Sequence, residues 1–222
     1  DYYQEAANIE CFQQILGRDE RYRIPRTHSA WCSQRVLTLD RLPGEHIDHF
    51  LETASTEVRQ RAGLALGDLL LACTFRHRVL HADPHPGNFL FEPDGRIGIL
   101  DFGCVKRFDE FFLGTYARSV RAALDGDRAT NIECCRELGL LDGNNPAAED
   151  ALWAFSEAVV GPWRGRVAVI GEGDQMVETI HPAARKLLTF HEIRGARDMV
   201  MLHRTMGGLY AIVHRLNCSS RW

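Results

Sequence analysis

Two short stretches of the chain carry the side chains best suited to phosphate chemistry: residues 81–88 (H-A-D-P-H-P-G-N) and residues 100–103 (L-D-F-G). Asp101 and Asn88 offer carboxylate and amide oxygens, the hard ligands that Mg²⁺ takes in an octahedral shell. Asp83 is then free to orient an attacking hydroxyl or water and to accept its proton. The pattern predicts Asp83 as the catalytic residue and Asn88 and Asp101 as metal ligands.

The order of these residues matches the signature H-R-D-L-x-x-x-N followed by D-F-G, which is typical of protein kinases. Ala82 stands where that signature has arginine, whereas the asparagine keeps its offset from the aspartate. A D-F-G alone would be a weak signal, but its joint occurrence with H-x-D and a correctly placed asparagine is specific. We therefore expect ATP and Mg²⁺ as cofactors. His81, Gly87 and Gly103 are predicted to be structural, Gly87 by allowing a tight turn.

Strands and helices around these motifs can be predicted from their patterns. Residues 1–16 have helical spacing, residues 27–31 and 35–41 resemble a hairpin, and residues 56–77 form a long amphipathic helix. Two apolar runs, 89–91 and 97–100, flank the turn sequence E-P-D-G and predict a second hairpin. We expect residues 161–173 to form a loop. Further helices are predicted over residues 111–124, 128–138, 146–160, 175–188 and 196–216.

This order of elements predicts an α+β fold with helix in excess. The break at Pro43-Gly44 predicts a boundary between a small strand-bearing lobe, residues 1–42, and a large helical lobe, residues 43–222. The hairpin over residues 89–100 matters most for chemistry. It joins Asn88 to Asp101 and should bring their two loops side by side.

The composition is that of a globular protein and argues against several function classes. With 222 residues, 45% hydrophobic and 25% charged, and a net charge of −4, the chain has no basic patch that would favour nucleic acid. Seven cysteines without a C-x-x-C pair favour a reducing, intracellular compartment over a disulfide framework. The sequence contains no run of about 18 apolar residues, so no membrane span is predicted. Arg194, Arg197 and Arg204 are interpreted as solvated rather than as contacts to lipid head groups.

The string H-A-D-P-H-P-G-N-F-L-F-x-P-D-G-R-I-x-I-L-D-F-G closely resembles the UbiB/AarF/ADCK family of atypical kinases. The opening residues D-Y-x-x-E-A-A-N and the late L-H-R-T with Gly207-Gly208 resemble further segments of that family. The resemblance implies a protein-kinase-like fold in which residues 1–42 hold the end of helix C, the fourth and fifth strands and the hinge. Residues 43–222 would form the helical C-lobe with the catalytic loop and D-F-G.

The same resemblance implies function. It points to ATPase or phosphotransferase activity, to ubiquinone and other isoprenoid-lipid metabolism, and to an isoprenoid-lipid substrate or a lipid-biosynthetic complex as partner. An intracellular location is expected, either cytoplasmic or peripheral on an inner or organellar membrane. Asp40, Arg41 and Leu42 would occupy the hinge beside the adenine, and Asp101 would contact the nucleotide through the metal. The nucleotide loop and the ATP-pairing lysine of the family are expected upstream, so this chain alone is expected to lack half of the ATP cradle.

Three alternatives remain open at this point. A small-molecule kinase of the aminoglycoside or choline type would share H-x-D and H-P-G-N. A nucleotide-gated scaffold would keep the fold without turnover. His77, His81 and His85, at four-residue intervals, could suggest a zinc site, but Pro84 and Pro86 rule out the helix that such spacing needs.

Overall fold

The computed structural model describes residues 1–164 and 168–220 and combines many helices with short strands, which confirms the α+β prediction with helix in excess. Its contacts define two compact units. The first comprises Asp1–Arg107 and Leu202–Cys218, and the second comprises the described residues of Phe108–Met201 together with residues 219–220. Both sides of the boundary predicted at Pro43 lie in the first unit, and the assignment of lobes stays a prediction.

Two helices of the first unit begin at polar side-chain caps. The side chain of Asp1 accepts a hydrogen bond from the backbone N–H of Tyr3, and α1 (Tyr2–Leu16) follows. Ser55 caps α3 (Thr56–Leu71) in the same way, and the shorter α2 (Ile47–Thr53) precedes it. The helix predicted over residues 56–77 changes character at its end, because Ala72–Arg76 form a π turn and Arg78 takes a positive φ of 58°. This turn redirects the chain into the catalytic loop.

Two small sheets flank the two motifs at residues 81–88 and 100–103. β2 (Val79–His81) pairs antiparallel with β5 (Val105–Arg107). β3 (Phe89–Phe91) pairs antiparallel with β4 (Ile97–Ile99), and β1 (Tyr22–Arg23) lies parallel to β4. The hairpin predicted from the E-P-D-G turn is therefore confirmed, with Gly95 at φ 89° in the turn.

The other predicted hairpin, over residues 27–41, is wrong as a strand pair. Ser29–Trp31 form a 3₁₀ turn, and the pairing is reduced to isolated bridges such as Thr27 with Leu39. Side chains take over the hydrogen bonding: the Thr38 hydroxyl donates to the Trp31 carbonyl at 2.8 Å, and the Thr38 N–H donates to the Cys32 sulfur at 3.4 Å. Such local bonds compete with a strand ladder.

The second unit is mainly helical, and its predicted helices are confirmed within one or two residues at each end. They are α4 (Glu110–Asp125), α5 (Arg128–Glu137), α6 (Pro146–Val160), α7 (Met176–Leu187) and α8 (Arg197–Leu216), of which α8 continues into the first unit. A 3₁₀ turn (Gly161–Arg164) and β6 (Ala168–Ile170) occupy part of the predicted loop, whose residues 165–167 lie outside the described residues. β7 (Cys218–Ser220) ends the described chain. Over residues 1–164 and 168–220, no helix is long and apolar enough to cross a membrane.

Each unit has its own apolar core. In the second unit, α5, α6 and the segment between them supply a cluster of buried residues: Ile132, Cys135, Leu140, Leu141, Ala148 and Leu152. In the first unit, the fully buried Phe102 packs between Phe12 and His81, with ring centroids 5.1 and 5.5 Å away. The phenylalanine of D-F-G therefore anchors its loop to α1 and to the end of β2.

This packing predicts a large effect of truncating Phe102. Phe102→Ala should lower the free energy of unfolding by about 3–5 kcal/mol, because it removes a buried ring and leaves a cavity. The matched control is Phe111→Ala, whose ring is 63% exposed and which should change stability by less than about 1 kcal/mol. Urea unfolding followed by circular dichroism measures both. Equal midpoints for the two variants would contradict the assigned core.

Candidate functional site

The β3–β4 hairpin brings the two predicted motifs together. Asn88 directly precedes β3, and Leu100 alone separates the end of β4 from Asp101. The Leu100 N–H donates to the Asn88 carbonyl at 2.9 Å. The side-chain amide of Asn88 donates to Asp83 Oδ2 at 2.7 Å. Asp83 and Asn88 are both partly buried. Asp83, Asn88 and the start of D-F-G thus form one connected group.

His81 holds this group in place through a hydrogen bond to the D-F-G backbone. It is the last residue of β2, it is buried, and its Nε2 donates a hydrogen bond to the backbone carbonyl of Asp101. Burial lowers the pKa of His81, which favours the neutral ring, and the bond to a carbonyl oxygen requires the proton to be on Nε2. The neighbouring Ala82 N–H donates to the Cys104 carbonyl at 2.8 Å. The catalytic loop and the D-F-G segment are therefore joined on both sides of Phe102.

The helix α1 holds the D-F-G backbone with two polar side chains. The Asn8 amide donates to the Phe102 carbonyl at 2.8 Å, and the Phe102 N–H donates to the Glu5 carboxylate at 3.4 Å. Burial raises the pKa of Glu5, and the nearby charge of Asp101 raises it further, against the bond from Phe102. Sequence reasoning gave Glu5 and Asn8 no individual role, although both stand in the D-Y-x-x-E-A-A-N segment that carries the family resemblance.

Gly87 and Gly103, which were predicted to be structural, are required because a Cβ would crowd a neighbouring side chain, not because the backbone is left-handed. A Cβ on Gly103 would lie 3.2 Å from Asp101 Oδ1, the oxygen that already accepts the Gly103 N–H at 2.7 Å. A Cβ on Gly87 would lie 3.0 Å from His85 Nδ1, which accepts the Gly87 N–H. Gly87 does lie in the tight 3₁₀ turn Pro86–Asn88. Both glycines let a neighbouring side chain close onto the backbone.

Of the predicted hinge residues, the structure brings one onto the hairpin. Leu42 packs against β4, where its Cδ1 would lie 3.2 Å from a Cβ on Gly98. The Asp40 carboxylate instead pairs with His28 Nε2 at 2.7 Å, and Arg41 is exposed. A role for Asp40, Arg41 and Leu42 beside adenine stays a prediction.

A side chain from α8 also reaches the group. Arg204 Nη2 lies 3.9 Å from Asp83 Oδ1, and Gly208, one turn later, packs against Pro84 of the catalytic loop. Sequence reasoning interpreted Arg204 as solvated. It is indeed exposed, but it faces the carboxylate predicted to be catalytic.

The donor set fits Mg²⁺ better than zinc. The Asn88 NH₂ points at Asp83 and Asp101 Oδ1 accepts from Gly103, which leaves Asn88 Oδ1 and Asp101 Oδ2 as hard oxygens for a cation. The zinc alternative is not supported. His81 is buried in a strand whereas His77 and His85 are exposed, and within the described ranges no group of three or more His, Cys, Asp or Glu side chains could hold a metal.

Comparisons with known proteins agree with these motifs. Residues 1–134 match the ABC1 atypical kinase-like domain. The rat protein "Atypical kinase COQ8B, mitochondrial" is 27% identical over 223 residues, covering 98% of this chain and 41% of its own length. The yeast protein "Atypical kinase COQ8, mitochondrial" (Saccharomyces cerevisiae) is 26% identical over 225 residues, covering 99% of this chain and 44% of its own length. The chain thus spans less than half the length of these relatives.

A solved structure gives an independent measure of the fold. The Mycobacterium tuberculosis protein Rv3197, determined in complex with erythromycin, superposes with a TM-score of 0.71 at 23% sequence identity. The alignment covers 100% of this chain and 55% of that one. This likeness confirms the kinase-like fold. Since the family model matches more than half of the residues, the chain belongs to the ABC1 atypical kinase-like (UbiB) family.

Proposed function

We propose that this protein binds Mg·ATP and uses it as a phosphotransferase or an ATPase. The observation that carries the proposal is the convergence of Asp83, Asn88 and Asp101 through the 2.7 Å side-chain bond and the 2.9 Å backbone bond of the hairpin. The family supports a kinase-like role, and the hard-oxygen donor set supports magnesium. Leu42, which packs on the hairpin, supports an adenine site next to the metal site, with Asp40 and Arg41 in the same segment.

Each residue has a defined task in this proposal. Asn88 Oδ1 and Asp101 Oδ2 would hold the magnesium ion, which when bound would neutralise charge on the phosphates. Asp83 Oδ1 orients the attacking hydroxyl or water and accepts its proton, while Oδ2 is held by the Asn88 amide. His81, Gly87 and Gly103 keep the loops in place. In this chemistry the protein contributes mainly positioning and electrostatic stabilisation.

The pathway is proposed from the family resemblance. The COQ8 relatives are named as mitochondrial atypical kinases. They support a role in ubiquinone or other isoprenoid-lipid metabolism, with an isoprenoid-lipid substrate or a lipid-biosynthetic complex as partner. We propose an intracellular location, peripheral on an inner or organellar membrane.

The first prediction concerns the metal. Asp101→Asn should abolish the magnesium-dependent part of ATP binding, because the amide keeps the acceptor for the Gly103 N–H but removes the negative charge that the cation needs. Thermal melting of the intact protein with ATP, with and without Mg²⁺, measures this. The control is Asp94→Asn, in the β3–β4 turn, which should respond to Mg·ATP like wild type. A wild-type melting temperature that Mg·ATP leaves unchanged would refute the proposal.

The second prediction concerns the base. Asp83→Asn should bind Mg·ATP nearly as well as wild type, because an amide oxygen can still accept from Asn88, yet turnover should fall by about 10²–10⁴-fold. ATP consumption at saturating Mg·ATP measures the change, again with Asp94→Asn as the control. Unchanged turnover in Asp83→Asn, or equal rescue of a deletion strain by wild type and Asp83→Ala, would favour the scaffold alternative over an enzyme.

A further inference from the structure

The position of Arg204 is set by the packing of α8. Leu202, Thr205 and Ile212 are buried along one face of this helix and fix it within the first unit. At Gly208 the helix closes onto the catalytic loop so tightly that a Cβ would lie 2.3 Å from Pro84 Cγ. Only glycine permits this approach. The Cα of Arg204 is thus held next to the catalytic loop by core packing, independently of the charge at its tip.

The contact between Arg204 and Asp83 is a loose ion pair. Asp83 Oδ2 accepts from the Asn88 amide at 2.7 Å, whereas Oδ1 faces Arg204 Nη2 at 3.9 Å, beyond hydrogen-bond length. The Arg204 side chain is 66% exposed. A guanidinium has five N–H donors in a planar fork that suits carboxylates and phosphates. Arg204 therefore has the reach and the donors to bind an anion other than Asp83.

We propose that Arg204 binds an anionic group, phosphate or carboxylate, on the molecule that accepts the phosphoryl group. This inference rests on the proposed function and names the substrate class of the same site. Oδ1 of Asp83 is the oxygen that must take the proton from the acceptor hydroxyl, and Arg204 stands on that side of it. An acceptor with an anion near its hydroxyl draws the guanidinium away from Asp83 and so uncovers the base. An acceptor that carries an ammonium group meets a like charge there.

The transfer step balances with ATP as the only co-reactant. The acceptor oxygen forms a bond to the γ-phosphorus as its proton passes to Asp83 Oδ1. The bond between the γ-phosphorus and the bridging oxygen breaks, and ADP leaves with that electron pair. The proton on Asp83 then returns to solvent. Arg204 takes no proton; it holds the acceptor's anionic group throughout and selects which acceptor can bind.

The experiment measures acceptor binding with the nucleotide site filled. The intact protein is saturated with Mg²⁺ and a non-hydrolysable ATP analogue, and three small alcohols are titrated by calorimetry: glycerol 3-phosphate, glycerol and choline. Vesicles of phosphatidylcholine with and without phosphatidylglycerol form a second arm. We expect the anionic probe of at least one arm to bind about 10-fold more tightly than its uncharged or cationic counterparts, as one charge-assisted contact allows.

Variants assign that preference to Arg204. Arg204→Gln should weaken binding of the anionic probe about 10-fold, and Arg204→Lys, which keeps the charge but loses the fork, should stay within about 3-fold of wild type. Arg215→Gln, on the same helix but paired with Asp48, is the matched control and should behave as wild type. Response to phosphatidylglycerol alone assigns the anion to a lipid head group; response to glycerol 3-phosphate assigns it to a soluble acceptor.

Two results overturn the inference: no preference for the anionic probe in either arm, or a preference that Arg204→Gln leaves intact. Binding of the ATP analogue, followed in the same samples, reports separately on the proposed function. A protein that binds Mg·nucleotide but shows no Arg204-dependent anion preference keeps its proposed function and loses only this inference.

Discussion

The partly buried hydrogen bond from His81 to the carbonyl of Asp101 is the interaction on which the site depends. It joins the last residue of β2 to the first residue of D-F-G, and the β2–β5 pairing and the bond from Ala82 to Cys104 connect the same two segments. Burial keeps the imidazole neutral, which suits a donor to a neutral carbonyl. An apolar residue at position 81 would leave that carbonyl without its partner, at a cost of about 1–3 kcal/mol. The rings of Phe12 and Phe102 pack edge-on against the same imidazole.

The carboxylates of Asp101 and Glu5 lie close together at the segment that this hydrogen bond holds. The carbonyl that His81 holds belongs to Asp101 itself, and Glu5 reaches the neighbouring Phe102 backbone from α1, close enough for the charge of Asp101 to raise the pKa of Glu5. Like charges in a partly buried place oppose each other. The packing that organises D-F-G therefore costs electrostatic energy, which a cation at the proposed magnesium site would relieve.

Sequence reasoning succeeded where the signal was local. The E-P-D-G turn between apolar runs predicted the β3–β4 hairpin, and sequence patterns predicted helices that the structure confirms, such as α4, which Asp109 caps. It failed over residues 27–41, where the Thr38 hydroxyl and the Cys32 sulfur form bonds that strand propensity does not encode. It also missed Asn8 and Glu5, whose contacts with Phe102 span 94 and 97 residues. No spacing rule connects positions that far apart; only the packing of α1 does.

The positive charge beside Asp83 is that of Arg204 on α8, because the preceding residue, Ala82, carries no charge. The kinase signature has arginine at this position, but here the side chain is alanine and is buried, with its N–H bonded to the Cys104 carbonyl. A guanidinium would not fit there without disrupting the loop. The cation that faces Asp83 comes instead from the exposed surface of α8, where Arg204 can exchange partners. The Arg204 side chain is exposed and lies 3.9 Å from Asp83, so it can leave the carboxylate for a ligand, as the inferred anion site requires.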